Sequence, residues 1–381
     1  MKKRLLVIDG SARALVHVRG SLLKEAVFRG HAVYALAELD CLTKEIGERD
    51  VINALSDIGV VFSGCQLNRA SKNPVADIPV ILNLYRHIKR LRPDVVLCYS
   101  MKSCLLGSIA GRIAGIQNIF TSITGLGYLF IEDNLRERLF KWLLRSPLRI
   151  ALRLSKSTFF QNSDDINLLL SEGFLDSKEK AILVNGSGVD LKKYRYALPP
   201  LSDKECTFLM IGRIHRQKGV EEYIEASRIV KKKYLSSRFL FIGPYEKHPS
   251  AVPKLMLERW KKEGPVEFLG TKSDVYPFIR DSDVFVLPSW REGTSRSMLE
   301  ALATGRPIIA TDVPGCKEPV INDVNGYLIP VRSPSALAEA MIRLIEQPEK
   351  RLHMGIESRR IAEERYNEDH VVRLMLDRMG L

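Results

Sequence analysis

The chain has only six cysteines in 381 residues, at positions 41, 65, 98, 104, 206 and 316, and no two of them stand in a Cys-x-x-Cys spacing. That absence excludes a zinc ribbon or a dithiol redox motif, and the thiols read as reduced, partly buried side chains of a cytosolic protein. No window approaches the roughly 18 uncharged apolar residues of a spanning helix, so an integral membrane protein is not expected. The N-terminal apolar run LLVI stops at Asp9-Gly10, too short for a signal peptide, and reads as a first β-strand. No convincing Asp-x-Asp pair marks a metal site: Asp164-Asp165 and Asp281/Asp283 read as helix-cap and turn residues, and no metal is expected. Low-complexity tracts and internal repeats are also missing. With 45% hydrophobic and 27% charged residues, the composition is that of a folded globular chain.

What is present in excess is positive charge. The formal net charge is +13, and residues 1 to 200 carry 29 Lys and Arg against 19 Asp and Glu, leaving 29 against 26 for the rest. The basic excess therefore belongs to the first half. Such a bias points to anionic partners and says nothing of fold.

Short apolar runs alternate with helical patterns: RLLVID, a helix around RGSLLKEAVFRG, HAVYALA, VVLCYS, a helix KSCLLGSIAGRIAG, then NIFTSI. This rhythm predicts βαβ units and a parallel sheet. From Gly186 to Glu205 periodicity is lost and Pro199-Pro200 appears, which reads as a linker. A second series follows: TFLMIG, a helix KGVEEYIEASRIVKKKY, RFLFIG, VPKLMLERWKKEG, VEFLG, DVFVLP, a helix SRSMLEALATG, PIIAT and GYLIP. The expected architecture is α/β, with two Rossmann-like domains facing each other across a cleft. Their expected spans are 1–190, a linker 191–205, 206–365, and a C-terminal helix 366–381 crossing back to the first domain. At 381 residues, two cores are the natural division. Ligands of such sheets bind beyond the carboxyl ends of the strands.

The chemistry concentrates at WREGTSRSMLEALATG. Gly293 frees the backbone to approach a ligand, Thr294 or Ser295 is placed to cap a helix, and Gly305 to end it. The amides of that helix start, at the carboxyl end of a strand, form an anion site. Glu300 falls about 7 to 8 Å along the helix, near the span from a diphosphate to an attached ribose, and a carboxylate accepts from two neighbouring hydroxyls. Glu292 falls in the loop at the reacting end. In MIGRIHRQKG, Gly212 ends a strand, Arg213 sits in the turn and Lys218 opens the next helix. Both cations are placed to clamp a diphosphate and neutralise it as it leaves.

GRIHRQKG together with EGTSRSMLEALATGRPIIATDVPGCKEPVINDVNGYLIP closely resembles the donor half of retaining family-4 glycosyltransferases with the GT-B fold. YSMKSCLLGSIAGRIAGI, TSITGLGYLF, FFQNSDD and VNGSGVD are similar to the branch that extends polyprenyl-diphosphate-linked sugars in bacterial polysaccharide and glycan assembly. The resemblance implies a UDP-sugar co-substrate and no other cofactor. It implies that Arg213 and Lys218 hold the diphosphate, Glu300 the ribose and Glu292 the donor sugar. Gly212, Gly293 and the amides from Thr294 and Ser295 through Met298 and Leu299 would complete the donor cradle, and the strand end at Gly243-Pro244 and the segment FLGTKSDV are candidates for the base pocket. Glu318 reads as a helix start. In the first domain the family pattern implies acceptor contacts at Gly10, Arg19, Tyr99, Lys102, Thr124 and Gly125. Many relatives carry paired glycines in the first loop, whereas here Gly10 is followed by Ser11-Ala12-Arg13.

Between Leu135 and Lys156, the cations Arg138, Lys141, Arg145, Arg149, Arg153 and Lys156 recur at an average of 3.6 residues. In a helix they would form one basic stripe flanked by apolar residues, suited to an anionic membrane surface. The expected protein is a metal-independent glycosyltransferase, peripheral on the cytoplasmic membrane face. It would take a lipid-linked saccharide as acceptor and no nucleic acid as partner. Rival readings are a transferase with a soluble acceptor, a nucleotide-sugar epimerase on the same scaffold, and a basic nucleic-acid-binding protein. The last lacks any recognised module.

Overall fold

The computed structural model describes residues 1–39, 47–67, 75–126, 148–200, 206–246 and 250–381. The chain divides into two compact units, Met1–Ser187 with Asp369–Leu381, and Gly188–Glu368.

The first unit holds a seven-stranded sheet in the order β3-β2-β1-β4-β5-β6-β7. Its strands are β1 (Arg4–Asp9), β2 (Ala32–Ala37), β3 (Val60–Gly64), β4 (Val95–Tyr99), β5 (Ile119–Ile123), β6 (Ser157–Phe160) and β7 (Ala181–Leu183). All neighbours pair in parallel. Every residue of β4 and β5 is buried, which explains why these strands read as unbroken apolar runs: helices cover both faces. Alternation sorts the side chains, with Leu5 and Val7 in one core cluster and Leu6 and Ile8 in the other. The C-terminal helix Glu368–Met379 contributes Val371, Val372, Met375, Leu376 and Met379 to the first of these clusters. The sequence pattern had not drawn out β3 or the helices Glu48–Asp57 and Ile78–Leu91.

The second unit holds a six-stranded parallel sheet, β10-β9-β8-β11-β12-β13. Its strands are β8 (Thr207–Ile211), β9 (Arg238–Ile242), β10 (Val266–Phe268), β11 (Val284–Leu287), β12 (Ile308–Thr311) and β13 (Gly326–Ile329). In both sheets the chain starts in the middle, runs to one edge, then returns to the other side. The order therefore reverses between β1 and β4 in one unit and between β8 and β11 in the other. In doubly wound sheets the ligand site lies at such a reversal, beyond the carboxyl ends of the strands.

The linker expectation needs correction. Within that segment Tyr194 is buried in the second unit, and so is Val189 just before it. Asp190 accepts the amides of Lys192 and Lys193 at 2.8 and 3.0 Å, building a turn, and the Ala197 amide donates to the Thr304 carbonyl at 3.2 Å. Irregular sequence marked an irregular backbone correctly, but side-chain burial and hydrogen bonds anchor it.

Candidate active site

In the second unit the loops after β8 and β11, on either side of the reversal in strand order, are knitted together. Gly219 adopts φ +76°, and a Cβ there would overlap the Pro288 carbonyl. The two loops can approach this closely only because the residue is glycine. Lys218 ends a 3₁₀ turn, Arg216–Lys218, and the long helix starts after Gly219, at Val220. Lys218 therefore precedes that helix rather than opening it. Its Nζ lies 2.5 Å from Glu292 Oε1, with side chains only 20% and 12% exposed. The Glu292 amide donates to the Pro314 carbonyl at 3.0 Å, fixing the backbone beneath the carboxylate.

Helix Arg296–Thr304 begins beyond this loop and ends at Gly305, which takes φ +82°. Ser295, not Thr294, holds the N-cap backbone position, and it makes no side-chain cap bond. The Ser295 hydroxyl meets that of Ser297 at 3.1 Å and Thr294 Oγ1 donates to the Gly293 carbonyl. The helix itself offers no acceptor to the amides of Arg296, Ser297 and Met298. Leu299 is different, since its amide donates to the Ser295 carbonyl at 3.2 Å. The side chains of Met298 and Leu299 are fully buried in the core, so Leu299 drops out of the phosphate cradle and Met298 can contribute only its amide.

Glu300 is 7% exposed and pairs with Arg296 at 3.1 Å. Burial pushes its carboxyl above the ordinary range, against the opposing pull of Arg296 and of the nearby Tyr194 hydroxyl. Tyr194 had no signal in the sequence, because it lies in the segment read as linker. Arg213 is half exposed, with its guanidinium 3.7 Å from Glu246. Gly212 and Gly243 touch: the Gly212 amide donates to the Ile242 carbonyl, and a Cβ on Gly243, at φ +154°, would overlap the Gly212 carbonyl. Glu318 stands in a turn rather than at a helix start, and its Oε2 accepts the Gly315 amide at 2.8 Å. The loops and helix that follow β8 and β11 thus carry Arg213, the Lys218–Glu292 pair, the Arg296–Glu300 pair and a helix N-terminus, groups able to bind an anion and a polyhydroxylated ligand.

In the first unit, Arg19 donates to Asp9 at 3.3 Å and to the Ser187 hydroxyl at 3.1 Å, and stacks 3.9 Å over the Tyr99 ring. Asp9 and Ser187 were missed, although a charged residue at the end of an apolar strand was a usable signal. Tyr99 requires correction as an acceptor contact. Its side chain is 3% exposed and its hydroxyl points to Met375 Sδ at 3.9 Å, and desolvation pushes the phenol up to about 12. Lys102 pairs with Asp77 at 2.8 Å. Gly10 follows β1 directly. Thr124 and Gly125, the latter at φ +129°, follow β5 at the same rim.

Arg138, Lys141 and Arg145 lie outside the described residues. Arg149 and Arg153 both reach Asp176, at 3.7 and 2.6 Å, and Lys156 donates to Asn118 at 3.2 Å. The described end of the basic stripe is thus partly neutralised within the unit. The cap of helix Ser163–Ser171 is Asn162, whose Oδ1 accepts the Asp165 amide at 2.8 Å, while Asp164 and Asp165, read as cap residues, stand inside the first turn. Among the described residues no group of three or more His, Cys, Asp or Glu forms a metal-binding cluster, and no helix is long and apolar enough to cross a membrane.

Residues 205–347 match the family described as glycosyl transferases group 1, and residues 39–157 match the family described as glycosyl transferase 4-like. The chain is 26% identical over 364 residues, 92% of each chain, to the N,N'-diacetylbacillosaminyl-diphospho-undecaprenol alpha-1,3-N-acetylgalactosaminyltransferase of Campylobacter jejuni. It is also 26% identical, over 71% of each chain, to the UDP-Gal:alpha-D-GlcNAc-diphosphoundecaprenol alpha-1,3-galactosyltransferase of Escherichia coli. Among solved structures it resembles Anabaena HepE in complex with UDP, with a TM-score of 0.76 at 17% identity over the whole of both chains. It resembles sucrose-phosphate synthase from Thermosynechococcus elongatus with a TM-score of 0.79 at 18% identity, covering 99% of this chain and 98% of that one. With a 4-like segment followed by a group 1 segment and a doubly wound sheet in each unit, the chain belongs to the glycosyltransferases of the GT-B fold.

Proposed function

We propose that the protein transfers a hexose or N-acetylhexosamine from a UDP-sugar to a polyprenyl-diphosphate-linked saccharide, with retention of anomeric configuration and without a metal ion. The observation that carries this reading is the Lys218–Glu292 pair beside the amides of helix Arg296–Thr304, with the buried Glu300 further along that helix. Lys218, Arg213 and the helix N-terminus supply the positive field for a diphosphate. Glu300 accepts the ribose hydroxyls, and Glu292 accepts hydroxyls of the donor sugar.

In this reading the acceptor hydroxyl attacks the anomeric carbon from the face the diphosphate leaves. The bond from that carbon to the diphosphate breaks with its electron pair on the diphosphate, and a phosphate oxygen takes the hydroxyl proton. The cations hold the charge that develops, so no metal is needed. UDP as carrier is supported by the E. coli relative's name and by the UDP complex of HepE, and the lipid-linked acceptor by the names of both relatives. An acceptor of that kind places the enzyme at an anionic membrane surface, for which the basic first half is suited.

The test is mass spectrometry of lipid products after incubation, with chelator, with a panel of UDP-sugars and polyprenyl-diphosphate-linked mono- and disaccharides. A gain of one sugar that is lost in Glu292→Ala supports transfer. Release of UDP without lipid product shifts the reading to a soluble acceptor, and conversion of the sugar nucleotide itself to an epimerase.

A further inference from the structure

The loop that carries Glu292 is tied down through Trp290. The indole Nε1 donates to Glu222 Oε1 at 2.9 Å, and the Trp290 amide donates to the Gln217 carbonyl at 2.9 Å. The Arg332 guanidinium stacks 3.9 Å from the indole centroid, which fixes the plane of the ring. Glu222 stands in the first turn of helix Val220–Lys233 and is 7% exposed, and its Oε2 has no hydrogen-bond partner. A buried carboxylate with an orphaned oxygen is destabilising, and a methionine would fill similar volume without that penalty. What the carboxylate contributes is the acceptor for the indole.

We propose that Glu222 and Trp290 form a latch that sets the position of Glu292, with Glu222 acting as a positioning residue for sugar transfer. The inference rests on the assignment of Glu292 to the donor sugar. Glu292 is otherwise held by Lys218, whose ammonium is also the group a diphosphate draws on. A diphosphate at Lys218 loosens that strut, and the loop then depends on Trp290, two residues before Glu292, and on the Glu292 amide bond to Pro314. Because Glu222 sits on the helix that follows Lys218, the latch holds the sugar-binding carboxylate in register with the diphosphate-binding cation. It touches neither ligand.

The test compares kcat, KM, UDP affinity and thermal unfolding in Glu222→Met, Glu222→Gln, Trp290→Phe and the double variant Glu222→Met/Trp290→Phe. A displaced sugar contact lowers kcat by about 10- to 100-fold in Glu222→Met, while UDP affinity holds and the unfolding temperature stays level or rises. Glu222→Gln keeps a carbonyl acceptor for the indole and retains most of the activity. Trp290→Phe reproduces the loss, and the double variant is no worse than either single one. Wild-type kcat in Glu222→Met overturns the latch, and so does a fall of activity, UDP affinity and stability in step. If Glu222→Met does not fold, Trp290→Phe against Glu222→Gln decides by the same readouts. Absence of product from the wild-type protein with every donor overturns the donor assignment and the latch with it, whereas product from wild type and undiminished product from the variants overturns the latch alone.

Discussion

Lys218 and Glu292 are 74 residues apart in sequence and meet at 2.5 Å across the ends of β8 and β11. Neither strand end would hold its loop so closely without Gly219 against Pro288. The pair joins the cation that suits a leaving diphosphate to the carboxylate that suits a sugar.

Replacing Lys218 with methionine leaves the largely buried Glu292 without its cation. The expected outcome is a loss of about 2 kcal/mol in stability together with loss of transfer. Denaturant unfolding and the lipid-product assay check the two parts. Stability unchanged from wild type would count against the pair as a held contact.

Glu300 gives a prediction with an unusual sign. Burial raises its carboxyl above the ordinary 4.5 in the folded state. Between those two values the folded chain binds more protons than the unfolded one, so this group makes stability fall as pH rises through the window. Glu300→Gln is therefore expected to gain in unfolding temperature relative to wild type at about pH 7, and to lose that advantage below the ordinary carboxyl value. UDP binding weakens in the same variant. An advantage that grows on acidification would sink the argument.

Gly219→Ala is expected to cost at least about 1 to 3 kcal/mol, since a Cβ at φ +76° is strained and also meets the Pro288 carbonyl. Thermal unfolding measures it. Because the substitution pushes the two loops apart, donor use should fall further than stability alone explains.

Arg19→Lys tests the first unit. The planar guanidinium reaches Asp9 and Ser187 while stacking on Tyr99, and an ammonium cannot do all three. A destabilisation of about 1 to 3 kcal/mol is expected, with UDP affinity unchanged because the residues proposed to hold the donor belong to the other unit. A large change in UDP affinity would contradict the separation of roles.

The sequence by itself determined most of the strands, because a strand of a parallel sheet buried on both faces must be a continuous apolar run, whereas the half-exposed edge strand β3 carried no such run. It determined the two-sheet α/β class from the alternation of those runs with helices, and it marked Gly212, Lys218, Glu292 and Glu300 because glycine turns and charges at strand ends are local features. Tertiary structure alone decided which charges meet. Lys218 with Glu292, Tyr194 with Glu300, Arg19 with Asp9 and Ser187, and Glu222 with Trp290 are pairs whose members lie far apart in the chain or carry no periodic signal. The same holds for the segment read as linker, whose irregular sequence hid a buried tyrosine, and for the basic stripe, where Asp176 claims two of its cations. Periodicity reports which face of an element is buried, whereas the partner of a buried polar group is fixed by the packing of elements from distant parts of the chain.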